Sequence, residues 1–317
     1  MSVTRMRKYL ARKVASLFFV LIGVSVLTFA LTGLVEGNPA ERALRRAGVD
    51  PTLQEIAFME ERLGLDRSLP EQYLGWVGDA LRLDFGVSHQ TDEPVLEELA
   101  RHLPATAMLS LGAFLLMIML SLPLGIMAVA FHGRWPDKII GAATFTLMGV
   151  PGFVLGTVLL YFVSVRLGWL PMVGEISFGR LVLPMVTLAL PMACRYVRLI
   201  KGGVLDVLGE DYIFLMRTQG LRERTVLLGG AFKNACIPLV NLLGISFGTL
   251  LGGSVIVEYI FSWPGLGSFL MVSIDSRDYP VVTAYLLLMA TAFVLINFLI
   301  DLLTFLLDPR ISFERGA

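Results

Sequence analysis

Charged residues are scarce in this sequence. Asp, Glu, Lys and Arg make up 16% of the 317 residues, whereas an ordinary soluble domain has about 25%. Apolar residues make up 56%, and the mean hydropathy is +0.73. This composition excludes a soluble enzyme and a disordered tail. The formal net charge is zero, so the chain has no overall positive field that would attract nucleic acid. A single membrane-embedded domain, residues 1–317, is the simplest architecture for this length.

Motifs for cofactors, metals and catalysis are also missing. Cys194 and Cys236 lack the C-x-x-C spacing of redox and metal sites. His89, His102 and His132 are scattered over loops, and no H-E-x-x-H motif occurs. No lysine follows glycine in the G-x-x-x-x-G-K-[ST] arrangement that binds nucleotide phosphates. We therefore predict no catalytic, metal or cofactor residues, and any ATP that drives this chain must bind to another subunit.

One serine motif raises a membrane-embedded hydrolase as an alternative. Gly244-Ile245-Ser246-Phe247-Gly248 matches G-x-S-x-G, but a nucleophile elbow needs a strand before the serine, and here the motif lies within an apolar run. Gly244, Gly248 and Gly252 instead recur every four residues, which predicts a ridge for close helix contact. We favour the packing interpretation, and labelling with a serine-directed probe distinguishes the two.

Long apolar runs are abundant. A helix needs about 20 mostly apolar residues to cross a bilayer, and backbone amides in lipid must pair within their own segment, which predicts helices. The predicted spans are residues 14–34, 105–131, 139–165, 181–200, 237–259 and 281–307. The first is longer than the apolar core of a signal peptide, so we interpret it as a retained span. Neighbouring helices can satisfy the carbonyls freed by prolines inside spans or at their rims, which are Pro123, Pro151, Pro184 and Pro191.

Lysine and arginine set the orientation of the spans. The N-terminus, the loop between the second and third spans, the connection between the fourth and fifth, and the tail hold 16 of the 26 basic residues. Seven of the other ten lie in one long loop, to which the rule gives little weight. The sequence therefore predicts that both termini are cytoplasmic.

The loop at residues 35–104 is predicted to be a small helical insertion on the extracytoplasmic side. It holds 14 acidic and 7 basic residues, a local charge of −7. Thr52 with Glu55 and Ser68 with Glu71 have the spacing of capping boxes, so each pair predicts a helix start. Two interpretations stay open: a solvated surface element, and a docking surface or lid over a pathway.

The connection at residues 201–234, the coupling segment, is predicted to be cytoplasmic. Asp211 and Tyr212 come first and Arg217 follows, which suits the dipole of a short helix. Gly220 then permits a left-handed turn. A short helix outside the bilayer, between two spans, can transmit motion to a protein docked on it. The alternative is a basic loop without a partner.

The last outer loop, residues 258–280, is predicted to lie at an outer mouth. Tyr259 and Trp263 suit the aromatic belt at the membrane interface. Pro264 and Gly265 favour a sharp reversal before a short surface helix at 268–274. The candidates for the outer mouth or gate are Glu258, Trp263, Pro264, Gly265, Asp275 and Asp278. The alternative is a loop end whose charges, including Arg277, pair with one another.

Polar residues inside the spans are few. Asp301 and Glu258 lie near the ends of spans, so we predict no buried proton relay of the kind that a secondary carrier needs. Asn241 and Asn297 are the polar groups nearest the interior. They are candidates for lining a pathway or for hydrogen bonds between helices, and we favour the latter.

A series of short motifs runs nearly the length of the chain: Gly37-Asn38-Pro39-Ala40, Leu83-Asp84-Phe85-Gly86-Val87-Ser88, Leu103-Pro104-Ala105-Thr106, Gly220, Asn234-Ala235, Pro238, Phe261-Ser262-Trp263-Pro264-Gly265-Leu266-Gly267, Asp278-Tyr279-Pro280 and Asp308-Pro309-Arg310. In this order they resemble the integral-membrane permeases of ABC importers, in the dipeptide, oligopeptide and nickel group.

The resemblance implies an all-α polytopic protein with six transmembrane helices and the type I ABC importer permease fold. It implies four further components: a second homologous permease, two ATP-binding subunits that hold ATP and Mg²⁺, and an extracytoplasmic solute-binding protein. The location implied is the cytoplasmic (inner) membrane of a bacterium. Met216-Arg217-Thr218-Gln219-Gly220 departs from the A-R-A-K-G that peptide permeases tend to have, so the identity of the matching ATPase stays open.

Two segments bear on the substrate. Pro94-Val95-Leu96-Glu97-Glu98 and Trp169-Leu170-Pro171 look most similar to nickel and metal-chelate permeases. Nickel or a metal chelate is therefore the leading expectation. A di- or oligopeptide is the alternative, because peptide permeases share much of the pattern, and a stand-alone secondary carrier is a remote one.

Overall fold

The computed structural model describes residues 3–33, 40–41, 44, 51–63 and 65–307. Within these ranges the chain is helical, and its β structure is limited to an isolated antiparallel bridge between Val87 and Pro94. The helices are α1 (Val3–Gly33), α2 (Leu53–Leu63), α3 (Leu69–Leu81), α4 (Val95–Ala130), α5 (Trp135–Gly149), α6 (Gly152–Leu159), α7 (Phe178–Leu208), α8 (Asp211–Thr218), α9 (Lys233–Ile260), α10 (Leu266–Asp275) and α11 (Tyr279–Leu307). A π-helical segment, Leu160–Arg166, follows α6, and a single turn, Glu223–Thr225, and a second π-helical segment, Val226–Phe232, precede α9. The predicted all-α class is confirmed.

Most of the predicted spans coincide with helices that can cross a bilayer. By length and composition, α4, α7, α9 and α11 qualify. A fifth span exists if the bent pair of α5 and α6, extended to Arg166, counts as one. The predicted first span lies in α1, whose described apolar part, Ala15–Ala30, is shorter than a bilayer requires. That first span therefore stays a prediction.

The third predicted span is bent rather than straight. Its two halves, Trp135–Gly149 and Gly152–Arg166, meet at 101°. Val150 lies between them with an extended backbone (φ −87°, ψ 123°), and Pro151 follows. A residue before proline is pushed out of the helical region by the proline ring, so Pro151 breaks the helix here. A continuous helix over 139–165 is therefore the wrong description of this span.

The prolines of α4 and α7 lie inside continuous helices. α4 runs through Pro104 and Pro123, and α7 runs through Pro184 and Pro191. α7 is also the most enclosed span: 56% of its most apolar window is buried, against 22% for α11. Neighbouring helices around α7 can therefore satisfy the carbonyls that its prolines leave without an amide donor.

The chain divides into two compact units, residues 1–101 with 272–292 and residues 102–271 with 293–317. The second unit has an apolar core built on α4, α7 and α9, in which Leu109, Met117 and Trp263 are fully buried. A separate buried cluster surrounds α8 and includes Ile213 and Val226.

In the first unit both predicted capping boxes are present. The backbone N–H and the Oγ1 hydroxyl of Thr52 donate to Glu55 Oε2, at 2.7 and 2.8 Å. Ser68 donates to Glu71 Oε2 in the same way, at 3.0 and 2.8 Å. These pairs begin α2 and α3, so the two helix starts predicted from the spacing are confirmed.

α3 packs on α1 through aromatic side chains. Tyr73 Oη lies 2.8 Å from Ser25 Oγ, and the Tyr73 and Phe29 rings meet edge to face with centroids 5.4 Å apart. The Trp76 and Phe29 centroids are 6.3 Å apart. These aromatic contacts hold α3 to α1.

Some predicted features lie outside the described part of the chain. These are Gly37-Asn38-Pro39, Asp308-Pro309-Arg310, and the side chains of Asn241 and Asp301.

Candidate functional site

The coupling segment contains a short helix, α8, that ends in a left-handed turn. Gly220 has φ +76°, a backbone conformation that L side chains rarely adopt. Its N–H donates to Arg217 O at 3.0 Å, and Leu221 N–H donates to Met216 O at 3.3 Å. These are the two bonds of a Schellman motif. The turn predicted at Gly220 is therefore confirmed, and its backbone requires glycine.

One face of α8 is held against the rest of the second unit. Ile213 is fully buried, and Met216 packs on the same cluster. A Cβ added at Gly230 would lie 2.8 Å from Met216 Sδ and 3.1 Å from Ile213 Cδ1. The small residue at 230 therefore lets the second π-helical segment approach α8 closely.

Polar side chains tie α8 to the start of α9. Asn234 Nδ2 donates to Tyr212 Oη at 2.8 Å, and Tyr212 Oη donates to Gly230 O at 3.3 Å. Arg217 makes a two-bond ion pair with Glu223, at 2.9 and 3.3 Å. Because this pair is exposed, it contributes about 0–1 kcal/mol. The tyrosine bonds and the buried face together make α8 a rigid attachment to α9.

The opposite face of α8 is uncovered and carries two large apolar side chains. The exposed fractions of Phe214 and Leu215 are 70% and 57%. Asp211 and Thr218 are exposed with them, at the i, i+3, i+4, i+7 spacing of one helix face. Adjacent exposed apolar side chains of this size make this face a candidate for contact with a partner protein. The coupling residues predicted from the sequence are Asp211, Tyr212, Arg217 and Gly220, and the structure adds Phe214 and Leu215.

A second group of predicted residues surrounds the buried carboxylate of Glu258 at the end of α9. Glu258 has no exposed surface. Its Oε1 accepts from Thr106 Oγ1 at 2.8 Å, and its Oε2 accepts from the backbone N–H groups of Gly267 at 2.6 Å and Ser268 at 3.2 Å. Thr106 Oγ1 in turn accepts from Leu266 N–H at 2.8 Å. The carboxylate therefore caps the first turn of α10, where the helix dipole favours an anion.

Glycine is required on two sides of this carboxylate. A Cβ at Gly265 would lie 2.4 Å from Glu258 Oε2. A Cβ at Gly267 would lie 2.9 Å from the same oxygen and 2.5 Å from Val255 Cα. The glycines at 265 and 267 thus leave room for a fully hydrogen-bonded acid group. We refer to Thr106, Glu258, Trp263, Gly265 and Gly267 as the Glu258 cluster.

Trp263 is buried in this cluster, not exposed in an interfacial belt. Its indole N–H donates to Ala105 O at 2.9 Å, and its backbone N–H donates to Glu258 O at 2.8 Å. Arg180, which is buried as well, donates to Ser262 O at 2.8 Å and also to Gly174 O. Because α4 supplies a carbonyl for the indole N–H, the ring can leave the interface at no cost in hydrogen bonds. The predicted belt position of Trp263 is therefore wrong.

The outer-mouth candidates in the second unit differ in exposure. Pro264 is exposed, whereas Glu258, Trp263 and Gly265 are buried. Glu258, Trp263 and Gly265 are structural anchors of the loop in this conformation, because their polar groups are bonded inside the protein. The short helix predicted at 268–274 is confirmed, and it begins two residues earlier, as α10.

In the first unit, Asp278 is fully buried just before α11. Its Oδ2 accepts from Ser88 Oγ at 2.6 Å and from Gln90 N–H at 3.2 Å. The expectation that Asp278 faces an outer mouth is wrong, because a serine 190 residues earlier in the sequence binds it inside the unit. Asp275 and Arg277 are exposed, and the role of Asp275 stays a prediction.

The predicted pathway and hydrolase residues have other partners. Asn297 Nδ2 donates to Phe293 O of its own helix at 2.9 Å, so it makes an intrahelical bond where we favoured one between helices. Ser246 lies in the interior of helix α9 and does not follow a strand, and its Oγ is 2.8 Å from Tyr196 Oη. The nucleophile elbow is therefore excluded.

The predicted glycine ridge holds for two of its three positions. A Cβ at Gly244 would lie 2.5 Å from Ile300 Cγ2, and one at Gly248 would lie 2.7 Å from Phe293 Cδ2. A Cβ at Gly252 would meet nothing within 4 Å. Gly244 and Gly248 therefore permit close packing of α9 on the second half of α11.

Sequence reasoning missed three partners that complete these sites: Thr106 for Glu258, Ser88 for Asp278 and Asn234 for Tyr212. Each of them belongs to a motif on which the family resemblance rests. For Ser88 and Asp278 the available signal was the joint occurrence of two motifs, Leu83–Ser88 and Asp278–Pro280, whereas Glu258 and Tyr212 lie outside the motifs and gave no such signal.

Known membrane transport proteins are similar to this chain over most of its length. Residues 121–313 match the family described as the binding-protein-dependent transport system inner membrane component, and residues 6–111 match the N-terminal region of such membrane components. The glutathione transport system permease protein GsiC of Salmonella choleraesuis (strain SC-B67) is 37% identical over 98% of this chain and 100% of that protein. GsiC of Escherichia coli (strain K12) is 36% identical with the same coverage.

Solved structures support the fold. An inward-facing MetNI methionine ABC transporter covers 68% of this chain and 99% of its own, with a TM-score of 0.56 and 19% identity. An amino acid ABC transporter structure with histidines covers 68% and 94%, with a TM-score of 0.51 and 16% identity. At these identities the likeness concerns the fold, which is that of a type I importer permease.

The family works with ATPase subunits and a binding protein, and its members are multi-pass proteins of the inner membrane whose ATP is hydrolysed on separate subunits. The motifs, the apolar helices and the full-length matches agree, and the chain belongs to the inner-membrane permease components of binding-protein-dependent ABC importers.

Proposed function

We propose that this chain forms half of the translocation pathway of an ATP-driven importer for di- or oligopeptides, including glutathione-like peptides. Its partners are a second homologous permease, two ATP-binding subunits that carry ATP and Mg²⁺, and an extracytoplasmic solute-binding protein. The observation that carries the proposal is the 37% identity to a glutathione permease over 98% of this chain. Glutathione is itself a small peptide, so the relatives support the peptide alternative over nickel or a metal chelate.

In the proposed mechanism, ATP closes the pair of ATPase subunits, and α8 of each permease moves with the surface on which it is docked. Phe214 and Leu215 supply the apolar contact. The Tyr212–Asn234 and Ile213–Gly230 contacts then pass the movement to α9, a spanning helix. Shifting a two-state equilibrium from about 1:99 to about 99:1 takes about 5.5 kcal/mol of differential binding, which ATP supplies.

The proposed mechanism also requires one orientation of the chain in the membrane. We propose that α8 lies on the cytoplasmic side with both termini, and that the insertion containing α2 and α3 lies on the opposite side. The concentration of Lys and Arg in the segments assigned to the cytoplasm supports this. A single cysteine placed at exposed Thr218, in a chain whose two own cysteines are replaced by serine, should react with an impermeant maleimide only from the cytoplasmic side.

The test of the substrate class uses the assembled importer in proteoliposomes with its own binding protein. We expect ATP-dependent uptake of labelled glutathione or dipeptides, and no uptake of nickel in their absence. Uptake of nickel that added peptides do not change would instead support nickel or a metal chelate as the substrate. Uptake against a gradient by this chain without its ATPase subunits would instead indicate a secondary carrier.

A further inference from the structure

A cavity of about 480 Å³ lies between α5 and α7 in the second unit. Its wall includes Ile140, Thr144 and Phe145 from α5, and Val197, Arg198 and Lys201 from α7. None of these six residues belongs to the exposed face of α8 or to the Glu258 cluster. The wall combines apolar side chains with two cationic groups, a combination that the proposed transport mechanism does not require.

The acidic group at this cavity already has partners on both of its oxygens. Asp137 is buried, and its Oδ1 accepts from Lys201 Nζ at 2.5 Å. Its Oδ2 accepts from Gly133 N–H at 3.0 Å and lies 3.3 Å from His132 Nδ1. An ammonium group has three N–H donors, so Lys201 retains two for another acceptor after its bond to Asp137.

Arg198 adds a second, less constrained cation. In the part of the chain that the structure describes, its hydrogen-bond partner is the thioether Met148 Sδ, at 4.0 Å from Nη1. A guanidinium has five N–H donors, and thioether sulfur is a weak acceptor. N–H donors therefore exceed acceptors at this cavity, which favours an anionic ligand with several oxygens.

The rest of the wall favours a ligand that also has an apolar part. Phe145 is exposed over 72% of its surface and lies on α5, the first half of the bent span. Ile140 and Val197 form buried apolar wall beside it. An anionic head beside an apolar surface on a spanning helix is the chemistry of a lipid at a membrane interface.

We propose that this cavity binds an anionic phospholipid through its phosphate group, which Arg198 and Lys201 hold while an acyl chain follows Ile140 and Phe145. The assignment to the cytoplasmic leaflet rests on the orientation given under the proposed function. Basic pockets between spanning helices on that side bind anionic headgroups in the same way.

The test measures lipid retention by the purified importer complex. The complex is delipidated in detergent, supplied with equal amounts of phosphatidylglycerol and phosphatidylcholine, and analysed by native mass spectrometry. We expect preferential retention of phosphatidylglycerol, reduced about fivefold by Arg198→Gln. Arg195→Gln is the matched control, because Arg195 is exposed on the same helix but does not line the cavity. It should leave retention unchanged.

A second variant tests the cavity without changing its charge. A Cβ at Gly141, which lines the cavity, would meet nothing within 4 Å, so Gly141→Leu should fill space and also reduce retention. Equal retention of phosphatidylglycerol by wild type, Arg198→Gln and Gly141→Leu would overturn the proposal. So would competition by inorganic phosphate that abolishes any preference for the lipid, since the ligand would then be a free anion. Lipid retention does not require transport, so a failed transport assay with these lipid results intact would contradict the proposed function alone.

Discussion

The Oε2 atom of Glu258 and the backbone N–H of Gly267 lie 2.6 Å apart, and neither residue is exposed to solvent. The carboxylate that caps α10 belongs to the last turn of α9, so this bond joins a spanning helix to the loop helix that follows it. Thr106 of α4 completes the connection at 2.8 Å. Three elements therefore share one acid group, and its removal should affect all of them.

Gly267→Ala should destabilise the protein. The added methyl would lie 2.5 Å from Val255 Cα, a backbone atom that cannot rotate away. Overpacking of this kind costs about 1–3 kcal/mol, which should lower the midpoint of thermal unfolding in detergent. Gly253→Ala, in the second half of α9 with nothing within 4 Å of the added Cβ, is the control. Equal unfolding midpoints for the two variants would show that the backbones at Gly267 and Val255 do not pack this closely.

Thr106→Val and Glu258→Gln should have non-additive effects. Thr106→Val removes the hydroxyl donor, and Glu258→Gln replaces one of two accepting carboxylate oxygens with an amide NH2 that cannot accept, so each alone should cost about 1–3 kcal/mol. Because the two side chains bind each other, we expect an interaction energy of about 0.5–3 kcal/mol in a double-mutant cycle of denaturant unfolding. Strict additivity would show that the hydroxyl and the carboxylate do not interact.

Gly220→Ala should weaken the link between substrate and ATP hydrolysis. Alanine in a left-handed conformation costs about 1–2 kcal/mol, so the turn after α8 should shift and change the angle at which α8 is presented. The measurement is stimulation of ATPase activity by the loaded binding protein in the assembled complex. Gly229→Ala, at a glycine with a helical backbone and no close neighbour, should keep normal stimulation. Normal stimulation in both variants would argue against a fixed α8 geometry.

Acid should open the first turn of α3. Hydrogen bonds from the side chain and backbone of Ser68 lower the pKa of Glu71 below its ordinary value. A lowered pKa in the folded state means that the bond stabilises the helix above the pKa of the unfolded chain and that this stability is lost as pH falls through the folded value. We expect hydrogen exchange at the amides of Ser68, Leu69, Glu71 and Gln72, corrected for the intrinsic rate, to accelerate in that acidic window. In Glu71→Gln the acceleration should be absent, and persistence of it would assign the opening to another group.

Local features of the fold could be predicted because neighbouring residues determine them. The capping boxes at Thr52 and Ser68 and the left-handed turn at Gly220 depend on residues within a few positions, and all three are present. The bend at Pro151 is local as well. The sequence does not predict it, because whether a span tolerates a proline depends on the helices that enclose the span, and the apolar pattern does not show those neighbours.

The sites depend on distant partners, and for this reason they could be predicted only in part. Thr106 and Glu258 are 152 residues apart, and Ser88 and Asp278 are 190 residues apart. Hydropathy identified Glu258 and Asp278 as polar groups near span ends, and solvent exposure was the simplest expectation for each. A buried carboxylate requires donors, and the identity of those donors follows from tertiary packing.

The central claim is that α8 docks on the ATPase through its uncovered apolar face, and Phe214→Glu tests it most directly. Phe58→Glu is the matched control, because Phe58 is similarly exposed, 66% against 70%, but lies in α2. We expect Phe214→Glu to fold normally and to lose about 2 kcal/mol or more of ATPase affinity, measured by co-purification and titration of the two purified components. Phe58→Glu should bind the ATPase normally. Unchanged ATPase affinity in Phe214→Glu, together with normal ATP-driven uptake, would contradict the account.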